Sequence, residues 1–138
     1  MITTFKGEHG WLSNFAPCEV LLDLEFYPNV EAAYQASKTV DKQQRKAIRE
    51  AKTPGDAKRL GKQVALRPDW EQIKIMIMYD LLCQKFHSPG YAAKLLGTGS
   101  ELLIEGNTWG DTFWGQCGGR GFNILGQLIM IIRNDMQE

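Results

Sequence analysis

The 138-residue sequence has no long apolar run; nothing in it approaches the roughly 20 apolar residues a helix needs to span a bilayer. The opening Met1-Ile2-Thr3-Thr4-Phe5-Lys6 lacks the charged start and apolar segment of an export signal, so no membrane association and a cytoplasmic location are expected. Cysteine is scarce. Cys18, Cys83 and Cys117 are odd in number and far apart, which fits reduced thiols better than a disulfide framework. His9 and His87 are the only histidines, and no Cys-x-x-Cys or His-x-x-x-His pair occurs, so neither a metal nor another cofactor is expected. Ser13 has no Gly-x-Ser-x-Gly context and neither histidine adjoins a cysteine, which disfavours a serine or cysteine triad. Charge of one sign is lacking too: 16 Lys and Arg balance 16 Asp and Glu, which argues against general nucleic-acid affinity.

What is present is patterned. The length fits one domain spanning residues 1–138, large enough to bury roughly two-thirds of its unfolded surface. Val20, Leu22, Leu24 and Phe26 alternate against Leu21, Asp23, Glu25 and Tyr27, the period of a strand. Before it lies a glycine-punctuated loop, residues 7–15, holding Trp11 and Phe15. Asn29 is placed to cap a helix reaching about Thr39, and Thr53-Pro54-Gly55-Asp56 supplies a cap, a proline and a capping-box acid for another. The longest helical pattern follows Arg67-Pro68-Asp69, with Trp70, Ile73, Ile77 and Leu81 on one stripe, and ends near Ser88-Pro89, where a shorter helix restarts. Leu102-Leu103-Ile104 reads as a short strand, and Ile124, Leu125, Leu128, Ile129 and Ile132 mark a final helix. With no repeat or linker, the expected fold class is α+β: a mostly helical single domain with a small β-sheet.

The zero net charge hides an asymmetry. From Asp41 to Lys62 eight Lys or Arg face three Asp or Glu, which is either a solvated helical face or a patch directed at phosphates. Next to it, Glu31, Gln35 and Lys38 stand at i, i+4 and i+7, on one helix face, with Glu31 and Lys38 about 10 Å apart along the axis. That spacing suits gripping a sugar with Gln35 in the middle; it also suits an ordinary exposed polar stripe. In Asn107-Thr108-Trp109-Gly110-Asp111-Thr112-Phe113-Trp114-Gly115 two tryptophans flank one carboxylate. They are either core, or a stacking wall with Asp111 stabilising positive charge or activating water. Gly118-Gly119-Arg120-Gly121 precedes the last helix, whose free amides would favour an anion beside Arg120, although the segment matches no phosphate-binding fingerprint. Trp70 opens its helix as core or as ligand wall.

Taken together, Leu12-Ser13-Asn14-Phe15, Tyr27-Pro28-Asn29-Val30-Glu31-Ala32-Ala33-Tyr34-Gln35-Ala36-Ser37-Lys38, Arg67-Pro68-Asp69-Trp70, Lys85-Phe86 and Gly121-Phe122-Asn123-Ile124-Leu125-Gly126 resemble the YbiA-like family, also called the NADAR domain. The resemblance runs over nearly the whole chain. It implies a YbiA-like fold and an N-glycosidase, a hydrolase of the bond between a ribose carbon and a base or amine nitrogen. Two substrate classes are implied: ribosylamino-pyrimidine phosphates of riboflavin synthesis, and ADP-ribose on guanine in DNA or RNA. No obligate protein partner is implied. The family's functional positions fall on Glu31, Lys38, Trp70 and Asp111, with Asn14, Phe15, Trp114 and Asn123 as pocket residues, to which the spacing adds Gln35 and Arg120. The family's histidine after the motif glutamate is Ala32 here, which implies altered packing or specificity. In the expected mechanism Lys38 attacks the anomeric carbon to form an imine that water resolves, while Glu31 shuttles protons. The rival is a module that binds ADP-ribose without cleaving it.

Overall fold

Three helices begin for the same local reason. The side chains of Asn29, Asp41 and Thr53 accept the amides of Ala32, Gln44 and Asp56 at 2.8, 2.8 and 3.0 Å, satisfying donors that a helix start leaves unpaired. They open α1 (Val30–Ala36), α2 (Lys42–Arg49) and α3 (Pro54–Gly61) in a computed structural model that describes all residues 1–138. Three more helices follow, α4 (Trp70–His87), α5 (Pro89–Gly97) and α6 (Ile124–Met136). The strands are short: β1 (Val20–Leu22) with β2 (Glu25–Tyr27), and β3 (Gly106–Asn107) with β4 (Gln116–Cys117). The architecture is α+β, about half helical, with two separate two-stranded sheets. No helix is long and apolar enough to cross a membrane. The chain folds as two compact units, residues 14–85 and residues 1–13 with 86–138.

In the 14–85 unit, α1 is the central element, packed by α2, α3 and the β1–β2 hairpin. Val30, Ala32, Ala33 and Ala36 are all fully buried; the alanines let neighbouring backbones approach closely. Ala32, the residue after Glu31, is thus a core residue. The alternation over residues 20–27 proves to be a hairpin and not one strand. Asp23 and Leu24 turn the chain at φ 47° and 70°, pairing Val20 with Tyr27 and Leu22 with Glu25. The turn changes which side faces inward, so Val20 and Tyr27 are buried while Leu24 is 90% exposed. Arg45 and Arg49 of α2 hold the hairpin through Asp23 and Glu25 at 2.6 and 3.7 Å.

α1 ends at Ala36, about three residues short of expectation. Ser37 turns its hydroxyl back to the Tyr34 carbonyl, a local bond that competes with helix continuation, and Thr39 takes the Asp41 amide into the next cap. The long helix has the expected bounds but a shifted inner face. Trp70, Met78, Leu81 and Leu82 are buried with Lys85, whereas Ile73 and Ile77 are half-buried and line a groove of about 510 Å³.

In the other unit the expected strand at 102–104 is reduced to one parallel bridge between Ile2 and Leu103. The 7–15 segment is a 3-10 helix over Gly7–Leu12, not a loop throughout. α6 buries Leu125, Leu128, Ile129 and Ile132, the face its spacing predicts, and packs with α5.

Candidate active site

Glu31 lies in the first turn of α1, where the helix dipole favours a carboxylate. It is not part of an exposed stripe. Glu31 is 8% exposed and Gln35 4%; Gly61 of α3 lies against Gln35, and α2 and the hairpin also pack on α1. Their i, i+4 spacing is used directly: Gln35 Nε2 donates to Glu31 Oε1 at 2.9 Å, fixing the carboxylate. The Glu31 amide donates to the Asn14 carbonyl at 3.1 Å, which brings the Asn14-Phe15 segment to the same helix start. Asn14 is buried, and its Nδ2 approaches Met78 Sδ at 3.6 Å; Phe15 beside it is exposed. Asn14 Oδ1 and Gln35 Oε1 are buried acceptors with no hydrogen-bond partner, an uncommon state for buried polar atoms.

Lys38 sits on the turn after α1 and not on the helix itself. Its carbonyl accepts the Arg67 amide at 2.8 Å, and its Nζ lies 5.6 Å from the Tyr34 ring centroid. Tyr34 in turn meets Trp70 at 5.3 Å with 56° between the rings. Trp70 is buried, and it packs on the aromatic over which Lys38 sits. Burial pushes the Lys38 amine below the usual lysine range. Glu31 pulls it back up, while the ammoniums of Lys58, Lys62 and Lys74 push it further down.

Tyr34 was legible as a position four residues before Lys38. Gly61 carried no such signal, yet it sets the Gln35 geometry: a Cβ there would stand 2.0 Å from Gln35 Oε1 and 2.8 Å from Gln35 Cβ. Lys85 entered the sequence reading only within the Lys85-Phe86 motif, with no role given to it. It is 1% exposed, and burial lowers its amine to about 8 against an upward pull from Cys18, whose own thiol burial pushes up.

Asp111, Trp114, Asn123 and Arg120 belong to the other unit. Asn107 holds the Asp111 main chain from both ends, its Nδ2 donating to the Asp111 carbonyl and its Oδ1 accepting the Asp111 amide. Asp111 Oδ1 accepts the amides of Phe113 and Trp114 at 3.1 and 2.9 Å, so this carboxylate organises its own turn. Trp114 is half-buried edge-on to Phe113, whereas Trp109 is 52% exposed beneath Lys6. Asn123 spends both ends of its amide on the Leu103 carbonyl and Glu105 amide. The expected anion seat at the start of α6 is absent, because the amides of Asn123, Ile124 and Leu125 already donate to the carbonyls of Gly115, Phe113 and Trp114. Arg120 is exposed on the preceding turn. No three His, Cys, Asp or Glu side chains come together as a metal site would require.

A small α+β protein with a buried Glu–Gln pair beside a desolvated lysine has the makings of an acid–base enzyme. Comparison with known proteins gives the family: the NADAR domain matches residues 3–137, and the chain belongs to it. The chain is 35% identical to N-glycosidase YbiA of Escherichia coli over 135 residues, covering 95% of this chain and 84% of that protein. A riboflavin biosynthesis protein of Vibrio vulnificus is 34% identical over 134 residues, of whose length the chain spans only 36%. The NMR structure of E. coli YbiA matches with a TM-score of 0.84 at 33% identity, covering 99% of this chain and 87% of that one. The expectation of a hydrolase acting on N-glycosyl bonds agrees with these names.

Proposed function

We propose that the chain hydrolyses the bond between a ribose C1 and a base or amine nitrogen, with Glu31 as proton shuttle and Lys38 as the group that meets the anomeric carbon. The observation that carries this reading is the burial of Glu31, oriented by Gln35, whose charge acts on a Lys38 amine lowered by burial. A nucleophilic lysine must be neutral, and here desolvation leads the balance of influences on Lys38. Lys38 Nζ attacks C1 and displaces the base or amine, whose nitrogen takes the proton held by Glu31. The Nζ adduct gives a proton to Glu31, which passes it to O4 as the C1–O4 ring bond opens and leaves a protonated imine at C1. Water, deprotonated by Glu31, adds to C1. The C1–Nζ bond then breaks as Nζ takes that proton back and the added hydroxyl becomes the C1 carbonyl, and O4 closes on C1 to release ribose and the free Lys38 amine. The unpaired acceptors of Asn14 and Gln35 support a ligand that brings N–H or O–H donors.

The names of the relatives support an N-glycosidase, and one of them supports a ribosylamino-pyrimidine phosphate of riboflavin synthesis as substrate. The lysines around Lys38 support a phosphate-rich substrate such as ADP-ribose on guanine in nucleic acid. The test is to incubate the protein with both, adding borohydride. Turnover of either, lost by 10²–10⁴-fold in Glu31→Gln, and a reduced adduct mapping to Lys38 are expected. Turnover without an adduct removes the imine and leaves Glu31 facing an oxocarbenium-like state; an adduct at Lys85 reassigns the nucleophile. If neither substrate is cleaved while ADP-ribose binds, the chain is a binding module.

A further inference from the structure

Lys38 follows the last turn of α1, so the helix ladder no longer holds its carbonyl or that of Thr39. Both carbonyls are taken from outside the helix. The Arg67 amide donates to the Lys38 carbonyl and Arg45 Nε to the Thr39 carbonyl, each at 2.8 Å. One side chain ties these holds together. Gln44 Oε1, in the first turn of α2, accepts the Thr39 hydroxyl at 3.1 Å and the Ala65 amide at 3.2 Å. A carboxamide oxygen has two lone pairs, and here they serve two stretches of chain far apart in sequence. Ala65 stands two residues before Arg67, so alternate amides of the connection between α3 and α4 are fastened, one to Gln44 and the next to the Lys38 turn. Thr39 is 1% exposed, which keeps water from replacing Gln44 at its hydroxyl. Arg45 is anchored in its turn, its Nη1 reaching Asp23 of the hairpin at 2.6 Å.

The Gln44 side chain is not spent on starting its own helix, because Asp41 Oδ1 takes the Gln44 amide at 2.8 Å. The Lys38 amine stands over the Tyr34 ring at the end of a flexible four-carbon stem, which carries any rocking of its peptide out to Nζ. Misplacing a reacting atom by about 1 Å costs up to about 100-fold in rate. We propose that Gln44 is a positioning residue for Lys38: by tying Thr39 to the 65–67 segment it fixes the turn from which the Lys38 amine reaches the anomeric carbon. This rests on the reading of Lys38 as the group that meets that carbon.

The test is steady-state turnover of a ribosylamino-pyrimidine phosphate or of ADP-ribosylated guanine oligonucleotide, whichever the wild type cleaves. Gln44→Met removes the shared acceptor at nearly equal volume and should lower kcat by about tenfold to 100-fold with KM within about threefold. Gln44→Glu keeps an oxygen for both donors and should recover most of the loss. Thr39→Val deletes the same bond from its other end, so it should give the same split even where Gln44→Met fails to fold. The two changes together should be no more than about twofold slower than the slower single change. Without substrate, hydrogen exchange at the Arg67 amide should run at least about tenfold faster in Gln44→Met, while the capped Ala32 amide stays within about twofold. The positioning role is overturned if Gln44→Met turns over like wild type, if KM alone moves, if Gln44→Glu is as slow as Gln44→Met, or if Arg67 exchange does not change. The two readings fail separately. A wild type that cleaves neither substrate sinks the hydrolase, and Arg67 exchange still decides whether Gln44 fixes the Lys38 turn; cleavage at the wild-type rate in Gln44→Met sinks the positioning and keeps the hydrolase.

Discussion

Gly61→Ala isolates the contact that sets the Glu31 geometry. In an unencumbered helix this change adds about 0.5–1 kcal/mol of stability, because alanine loses less backbone freedom on folding. At position 61 the new methyl would stand 2.0 Å from Gln35 Oε1, 2.7 Å from its Cδ and 2.8 Å from its Cβ, separations that atoms do not share. The far end of Gln35 can swing away, but its Cβ moves only with α1. Overpacking of this kind costs about 1–3 kcal/mol. Swinging Gln35 aside also breaks its 2.9 Å bond to a buried carboxylate, about 1.5–3 kcal/mol more. The net expectation is a destabilisation of about 2–5 kcal/mol, read as a lower urea midpoint at unchanged slope. In a Gln35→Ala background two of the three clashing atoms are gone, so the same change should cost at least about 1 kcal/mol less. Equal costs in the two backgrounds, within about 0.5 kcal/mol, refute the contact as the cause. So does a Gly61→Ala protein as stable as wild type.

Asp111→Ala removes the acceptor for the Phe113 and Trp114 amides and should lower stability by about 2–4 kcal/mol, whereas Asp111→Asn, whose carboxamide oxygen still accepts, should stay within about 1 kcal/mol by thermal melting. A fall in turnover beyond tenfold in that Asn variant, with the fold retained, assigns the charge a chemical role. Lys85 has its amine at about 8 in the fold and 10.5 unfolded, so between those values the unfolded chain binds more protons and stability rises with pH, by up to about 3 kcal/mol. The Cys18 thiol, pushed above its usual 9, imposes the opposite slope, so the measurement belongs in a Cys18→Ala background. There Lys85→Met should flatten the rise between pH 8 and 10.5 seen by urea unfolding; an identical profile with and without Lys85 rejects the buried amine. Asn29→Ala should cost about 1 kcal/mol through loss of the α1 cap, measurable as a lower thermal midpoint, and a neutral change would show the cap bond to be weak.

The sequence by itself determined what is settled within a few residues of chain. Asn29 and the Thr53-Pro54-Gly55-Asp56 turn start helices because a cap needs only a side-chain oxygen and an amide three residues on. The bounds of α4 follow from a long helical pattern closed by Ser88-Pro89. The Glu31–Gln35 bond follows from i, i+4 spacing, and the motifs of the family were legible because they stand in order along the chain. Whatever depends on partners distant in sequence was decided by tertiary structure. The polar face of α1 became interior because α2, α3 and the hairpin pack around the helix, which periodicity cannot reveal for a helix that is buried all round. Leu24 lost its place in the alternation to a two-residue turn whose geometry reverses the inward side. The amides that made the start of α6 look like an anion seat were taken by carbonyls 8 to 11 residues upstream. The basic run was one feature in the sequence and is divided in the fold, Arg45 and Arg49 clasping the hairpin while Lys58 and Lys62 bear on the Lys38 amine. Charge composition is additive along a chain, but the field at a site depends on which charges are paired and how near the rest are brought.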